Sequence, residues 1–143
     1  MKKLKEILAC KGSEIWSIEP DRSVYDAIHL LAEKEIGALA VMQDDRLVGI
    51  VSERDYARSI ILKDRSSQNT RVRDIMTSNV ITAKPEQAIR ECMELMSGNR
   101  IRHLPVVDDN GAMLGMISIG DLVRAIIAEQ ESTIVDLEKY ITG

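Results

Sequence analysis

The chain writes one phrase twice. "GIVSERD" (Gly49 to Asp55) and "GMISIGD" (Gly115 to Asp121) lie 66 residues apart and share a glycine, two apolar residues, a serine, two variable residues and an aspartate. The likeness runs on in both directions. "WSIEPDRSVYDAIHLLAEKEIGALAVM" aligns without a gap on "ITAKPEQAIRECMELMSGNRIRHLPVV", setting Ser17 on Thr82, Pro20 on Pro85, Leu31 on Met96 and Val41 on Val106. Upstream, "LKEIL" (Leu4 to Leu8) resembles "VRDIM" (Val72 to Met76), and downstream Arg58 falls on Arg124. A unit of about 60 residues buries too little apolar surface to be secure alone. Two copies packed through their sheets share one core.

Periodicity outlines each copy. "EIWSI" and "NVIT" are short β-rich segments before a proline. Val24, Ala27, Ile28 and Leu31 recur at helical spacing, as do Ile89, Met93 and Met96. Met93 and Met96 are read as core, and Cys92 as a small core residue. Gly37 and Gly98 stand near the predicted helix ends, where left-handed backbone is expected. "ALAVM" and "HLPVV" read as buried strands, and "QDDR" and "DDNGA" as the turns of hairpins into "LVGIVS" and "MLGMIS". A helix begins after each serine. The fold class is therefore α/β (α+β), a β-α-β-β-α repeat present twice: residues 1–62, a polar linker 63–70, residues 71–130, and a helical tail 131–143.

Bulk properties exclude several function classes. The 143 residues are 45% hydrophobic and 29% charged, with a net charge of −4. No apolar run approaches the roughly 20 residues that span a bilayer, and "MKKLKEILACKG" lacks the apolar core and cleavage site of a signal peptide. No membrane partner and a cytoplasmic location are expected. Nucleic acid is not an expected partner, because the chain is acidic and has no Phe, one Trp and three Tyr. Cys10 and Cys92 show no metal-ligand spacing. There is no nucleophile–base arrangement, no zinc spacing and no phosphate-binding Gly-rich loop with lysine, so no catalytic residue, no metal and no catalytic cofactor is assigned.

The repeated serine and aspartate admit two readings. S-x-x-D before a helix is a capping box, with the serine oxygen accepting a first-turn N–H and the acid favouring the positive helix end. The same geometry suits a nucleotide. A helix N-terminus and a hydroxyl can receive phosphate, and an ionised aspartate one turn in can accept from both hydroxyls of a ribose. The glycine three residues before the serine would let the chain pass close to another backbone or a ligand.

With "VRDIMT", "RHLPVVD" and the doubled "G-h-h-S-x-x-D" phrase in this order, the chain resembles the cystathionine-β-synthase (CBS) domains, two of which in tandem form a Bateman module. The resemblance extends from about Leu4 to Ala128 and is strongest to small stand-alone bacterial members. It implies a pseudo-twofold pair of repeats with two clefts that take adenine ligands, with AMP, ATP or NAD expected, and a regulatory rather than catalytic role. Carried over residue by residue, ribose falls to Asp55 and Asp121 and phosphate to Ser52 and Ser118. Ser17 and Thr82, with Ile18 and Ala83 beside them, would line the adenine pockets, and Pro105 and Gly120 complete the expected contacts.

The copies differ where charge matters. "NRIRHLPV" in the second stands against "KEIGALAV" in the first, so Arg100, Arg102 and His103 face Glu35, Gly37 and Ala38 in the comparison. Arginine is the usual bidentate partner of phosphate, and Arg102 and His103 are assigned to it. Arg54, replaced by Gly120 in the second copy, stands at a helix start and is a further phosphate candidate. The clefts should not be equivalent. Trp16 reads either as a flank of the adenine pocket or as a buried aromatic, and His29 as structural. The copies fill the chain, so a sensor of this kind is expected to act through an effector protein that the sequence does not name. A homodimer is expected, because Tyr56, Ile60, Ile61, Leu122, Ile126 and Ile127 make the last helix of each copy apolar over more than one stripe. The alternative, from another class, is a structural or dimerisation domain without a nucleotide.

Overall fold

A computed structural model describes residues 2–12 and 14–142. Helix α1 (Leu4–Lys11) leads to strand β1 (Ser17–Ile18), helix α2 (Val24–Lys34) and the hairpin β2 (Ala38–Gln43) and β3 (Arg46–Ser52). Helix α3 (Glu53–Tyr56) follows and widens into a π-helical turn over Ala57–Ile61. A 3-10 turn (Val72–Asp74) opens the second copy, with α4 (Ile89–Asn99), the hairpin β4 (His103–Val107) and β5 (Met113–Ser118), and α5 (Ile119–Thr142).

The β-α-β-β-α order holds in both copies, with one strand shortened. β1 runs parallel to β2, pairing Ser17 with Ala40 and Ile18 with Val41. In the second copy that strand shrinks to a single bridge between Ala83 and Val106. Ala83 donates to the Pro105 carbonyl, and Val107 donates to Ala83 at 2.9 Å. Alternate residues of β4 donate along this edge, so the next N–H would come from position 105. Proline has none, and the ladder stops.

The hairpins form as their turn residues dictate. Asp44 and Asp45 both take positive φ, at 51° and 63°, the requirement of a two-residue turn that matches strand twist. In the second hairpin the Asp108 carboxylate accepts the N–H groups of Asn110 and Ala112 at 2.9 Å, and Gly111 supplies the positive φ.

The left-handed helix ends are not at the glycines. Glu35 and Arg100 take them, each with φ 54°. Ile36 N–H then reaches the Leu31 carbonyl at 3.1 Å, and Ile101 N–H reaches Met96 at 3.0 Å. These bonds close a Schellman motif that turns Ile36 and Ile101 back onto the two cores. Burying an isoleucine, worth about 1.5–3 kcal/mol in full, outweighs the strain of a non-glycine residue there, about 1–2 kcal/mol.

The copies form two cores in place of the single shared core expected, and each core crosses the repeat boundary. One gathers Ile18, Val24, Ala27, Leu31, Leu39, Val41, Val51 and Ile60 with Val72 and Ile75 from the opening of the second copy. The other gathers Ile89, Cys92, Met96, Leu104, Val106, Ile117 and Leu122 with Leu4 from the opening of the first. Backbone bonds follow the same exchange. Lys2 accepts from Ile89 at the start of α4, and Thr70 accepts from Val24 at the start of α2. Ser67, in the turn-rich stretch 63–70, accepts from Tyr25.

The glycines of the repeated phrase are where the exchanged segments seat. A Cβ on Gly49 would stand 2.5 Å from Met76 Sδ, and one on Gly115 would stand 2.6 Å from Leu8 Cδ2. Of the two partners allowed by sequence, another segment of the chain rather than a ligand occupies that space. The methionine stripe packs as expected, with Met96 buried and Met93 half-buried. Burial pushes the Cys92 thiol up to about 11, which leaves it unreactive. Over the described part of the expected helical tail, residues 131–142, the chain continues α5. α5 runs unbroken for 24 residues, about 36 Å, and the side chains of residues 131–141 are exposed.

Candidate functional site

The β3–α3 junction of the first copy faces the start of β4 across a cleft of about 360 Å³, within the roughly 300–1,000 Å³ usual for small-molecule sites. The first copy contributes Ser52, Arg54, Asp55 and Arg58, with Gly37 and Ala38 from the start of β2 and Ile50 from β3. The second contributes Arg100, Ile101, Arg102, His103 and Pro105, and the extended stretch Thr77, Asn79, Val80 and Ile81. Thr77 and Ile50 exchange both backbone hydrogen bonds, which ties that stretch to β3.

Ser52 and Asp55 form a complete capping box. Asp55 N–H donates to Ser52 Oγ at 3.3 Å, and Asp55 Oδ2 accepts from Ser52 N–H at 2.9 Å and from Ser52 Oγ at 3.1 Å. Among the described residues nothing bonds to Oδ1, and no cation pairs with the carboxylate. Burial pushes the Asp55 carboxyl above the ordinary carboxylate range, with the Ser52 bonds, Arg58 and Arg54 offsetting part of the rise. A half-buried carboxylate with one open oxygen faces a cleft edged by four arginines. Among the described residues Arg54, Arg58, Arg100 and Arg102 form no salt bridge. Arg54 reaches across the cleft and donates from Nη1 to the Arg100 carbonyl at 3.1 Å.

His103 stands between the copies. A Cβ on Gly37 would come within 3.1 Å of its ring, so glycine at 37 makes room for histidine and does not serve a helix end. Burial, and the positive charges of Lys11 and Arg102, hold its pKa below the ordinary imidazole value despite Asp121. The ring is therefore neutral at pH 7.

The second phrase repeats the capping box: Asp121 N–H donates to Ser118 Oγ at 3.1 Å, and Ser118 N–H donates to Asp121 Oδ2 at 2.8 Å. Its carboxylate is fully engaged. Lys11 Nζ lies 2.7 Å from Oδ2 and Arg124 Nη2 lies 2.7 Å from Oδ1. Burial would push this carboxyl up, but Lys11 and Ser118 bring it below the ordinary value.

Of the residues singled out from sequence, Ser52, Arg54, Asp55, Arg102, His103 and Pro105 therefore meet in one cleft. Ser118 and Asp121 belong to the second junction, where Gly120 packs beside Arg124. Ser17, Ile18, Thr82 and Ala83, expected beside the adenine pockets, do not line this cleft. Ile18 and Ala83 are buried in the two cores. Ser17 lines an open groove with Asp21, Asp26 and Asp44, and Thr82 a shallow depression with Arg46 and Leu47. The cause is alternation along extended backbone: Ile81 turns into the cleft, so Thr82 turns away from it. Trp16 is neither pocket flank nor buried; it is 37% exposed, with Lys34 Nζ 4.2 Å from its ring centroid. His29 is exposed and pairs with Glu33 one helical turn on. Sequence reasoning missed Thr77, Asn79, Val80 and Ile81 as a wall, and missed Lys11. The signal for Lys11 was a spacing: Leu4 to Pro20 is sixteen residues, Val72 to Pro85 thirteen.

The sequence profile of the CBS domain matches twice, over residues 5–62 and 72–128. The mitochondrial CBS domain-containing protein CBSX3 of Arabidopsis thaliana is 45% identical over 137 residues, and this chain spans 66% of its length. The solved CBS-domain containing protein of Agrobacterium tumefaciens is 35% identical with a TM-score of 0.82, over 87% of this chain and 98% of that one. A CBS domain protein of Pyrobaculum aerophilum, solved in complex with AMP, is 26% identical with a TM-score of 0.79, over 92% of this chain and 99% of that one. Two matched repeats, a shared fold over nearly the whole chain and the doubled serine–aspartate junction together make this chain a tandem member of the CBS-domain family.

Proposed function

We propose that the open cleft binds an adenine nucleotide, AMP, ATP or NAD, and that the chain is a non-catalytic regulatory module. The observation that carries this reading is Asp55, whose carboxylate keeps Oδ1 open at a helix start beside arginines that, among the described residues, form no salt bridge. Oδ1 can accept from ribose hydroxyls, and Arg54, Arg58, Arg100 and Arg102 favour phosphate. Val80 and Ile81 offer an apolar wall to a base. The AMP complex of the Pyrobaculum protein supports the ligand class. Binding across two copies would fix the angle between them and so reach an effector protein that reads their outer faces.

The module is proposed to act as a homodimer. Ile61, Leu62, Val123, Ile127 and Ile134 are exposed apolar side chains on the closing helices, and a second copy would cover them.

A structural domain without a ligand is the second reading. It is favoured by the reciprocal capping bonds at both phrases, which give each Ser–Asp pair a use in the fold. Calorimetric titration of the chain and of Asp55→Ala with AMP, ATP, NAD and S-adenosylmethionine separates the two. Heat with one of these ligands, weakened at least tenfold in the variant, is the expected result. No heat with any of them overturns the nucleotide reading.

A further inference from the structure

We propose that the second cleft is closed by the chain itself, with the Lys11 ammonium occupying the place of a ribose on Asp121, so that one nucleotide binds per chain. This rests on the nucleotide reading of the first cleft and adds which of the two junctions takes the ligand, and why.

Lys11 is the last residue of α1, and its Nζ makes two bonds of 2.7 Å, to Asp121 Oδ2 and to the Met116 carbonyl. Asp121 is only 10% exposed while Lys11 is 42% exposed, so the lysine enters from solvent and covers the carboxylate. Arg124 takes the other oxygen, but it is 73% exposed and among the described residues holds nothing else, so it can swing off into solvent to meet an incoming phosphate. Lys11, anchored on the Met116 carbonyl as well, is the group a diol must displace, by breaking a partly buried ion pair.

The first junction escapes this through the length of its covering segment. In the second copy the segment equivalent to α1 is one 3-10 turn, Val72–Asp74, against the eight residues of α1. The three extra residues before Pro20 carry helix α1 on past Leu8, which seats on Gly115, and bring Lys11 over Asp121. After Met76, which seats on Gly49, this segment has no further helical turn; Thr77 pairs with Ile50 on β3. Asn79 then lines the open cleft instead of bonding to Asp55.

The test is stoichiometry by calorimetric titration with AMP. The unaltered chain should bind one AMP per chain, and Asp55→Ala should remove that binding. Lys11→Met keeps the aliphatic stem and removes the charge; it should bind two. The added event should vanish in the double variant Lys11→Met, Asp121→Ala. Lys11→Arg, which keeps a cation on Asp121, should stay at one. Melting curves check that each variant is folded, and Lys11→Gln replaces Lys11→Met if the latter is not. Two AMP per unaltered chain, or one in Lys11→Met, overturns the closure while leaving the nucleotide reading intact. No binding by any variant overturns both.

Discussion

Asp55 and Asp121 hold the same place in the two copies, yet their carboxylates meet opposite surroundings. Asp121 lies 2.7 Å from both Lys11 Nζ and Arg124 Nη2, whereas among the described residues the Asp55 carboxylate bonds only to the amide and hydroxyl of Ser52. Replacement by asparagine keeps a capping oxygen and removes the charge, so the two variants should move stability in opposite directions.

Asp121 titrates below its ordinary value in the folded chain. Its stabilisation is therefore present at neutral pH and lost as pH falls through that lowered pKa. Asp121→Asn should lower stability at pH 7 by about 1 kcal/mol, the upper end for partly exposed pairs. Asp55 titrates above its ordinary value, so its charged form is a cost at neutral pH and its contribution is favourable only on the acid side. Asp55→Asn should raise the melting temperature at pH 7, with the gain shrinking as pH falls through the raised pKa, while nucleotide binding is lost. Melting curves from pH 3 to 8 check both signs.

Arg102→Ala should weaken AMP by about tenfold, the loss of roughly one charge-assisted hydrogen bond, and should leave adenosine nearly unchanged. Equal losses for the two ligands, measured by titration, would place Arg102 away from the phosphate.

Gly49→Ala should destabilise by about 1–3 kcal/mol, the usual cost of overpacking, and Gly115→Ala by less. The atoms nearest a new Cβ at 115 are those of the flexible Leu8 side chain, but at 49 they include the Thr77 carbonyl at 3.0 Å. Leu8→Ala should therefore rescue Gly115→Ala, whereas Met76→Ala should rescue Gly49→Ala only in part. Urea unfolding of the single and double variants measures this.

Glu35→Gly should stabilise the chain by about 1 kcal/mol, because φ of 54° costs glycine little. An unchanged or lowered midpoint in urea would mean that the Glu35 side chain contributes more than its strain removes.

Light scattering should give a mass near twice the chain's 16.0 kDa. Removal of residues 131–143, whose described side chains are exposed, should leave the module folded and lower its melting temperature only by what the Ile134 contact adds to the dimer. A mass of one chain at micromolar protein, with and without AMP, would rule out the dimer.

The repeat, its β-α-β-β-α order and the core stripes of α2 and α4 were legible in the sequence because they rest on local periodicity. Val24, Ala27 and Leu31 are buried like Ile89, Cys92 and Met96, and helical spacing alone puts each set on one face. The serine–aspartate junctions were legible for the same reason, since a capping box spans four residues. What the tertiary structure decided lies between segments far apart in the chain. From sequence Gly37 reads as a helix end, but its missing Cβ accommodates His103, 66 residues away. Thr82 reads from sequence as a pocket residue and does not line the cleft, because the direction of an extended side chain depends on the register with β4. The two openings, Leu4 to Leu8 and Val72 to Met76, look alike in sequence. Only their exchange between cores shows that a longer first helix brings Lys11 onto Asp121 and that a shorter second one leaves Asp55 free, because ion pairing is set by distance in space and not by spacing along the chain.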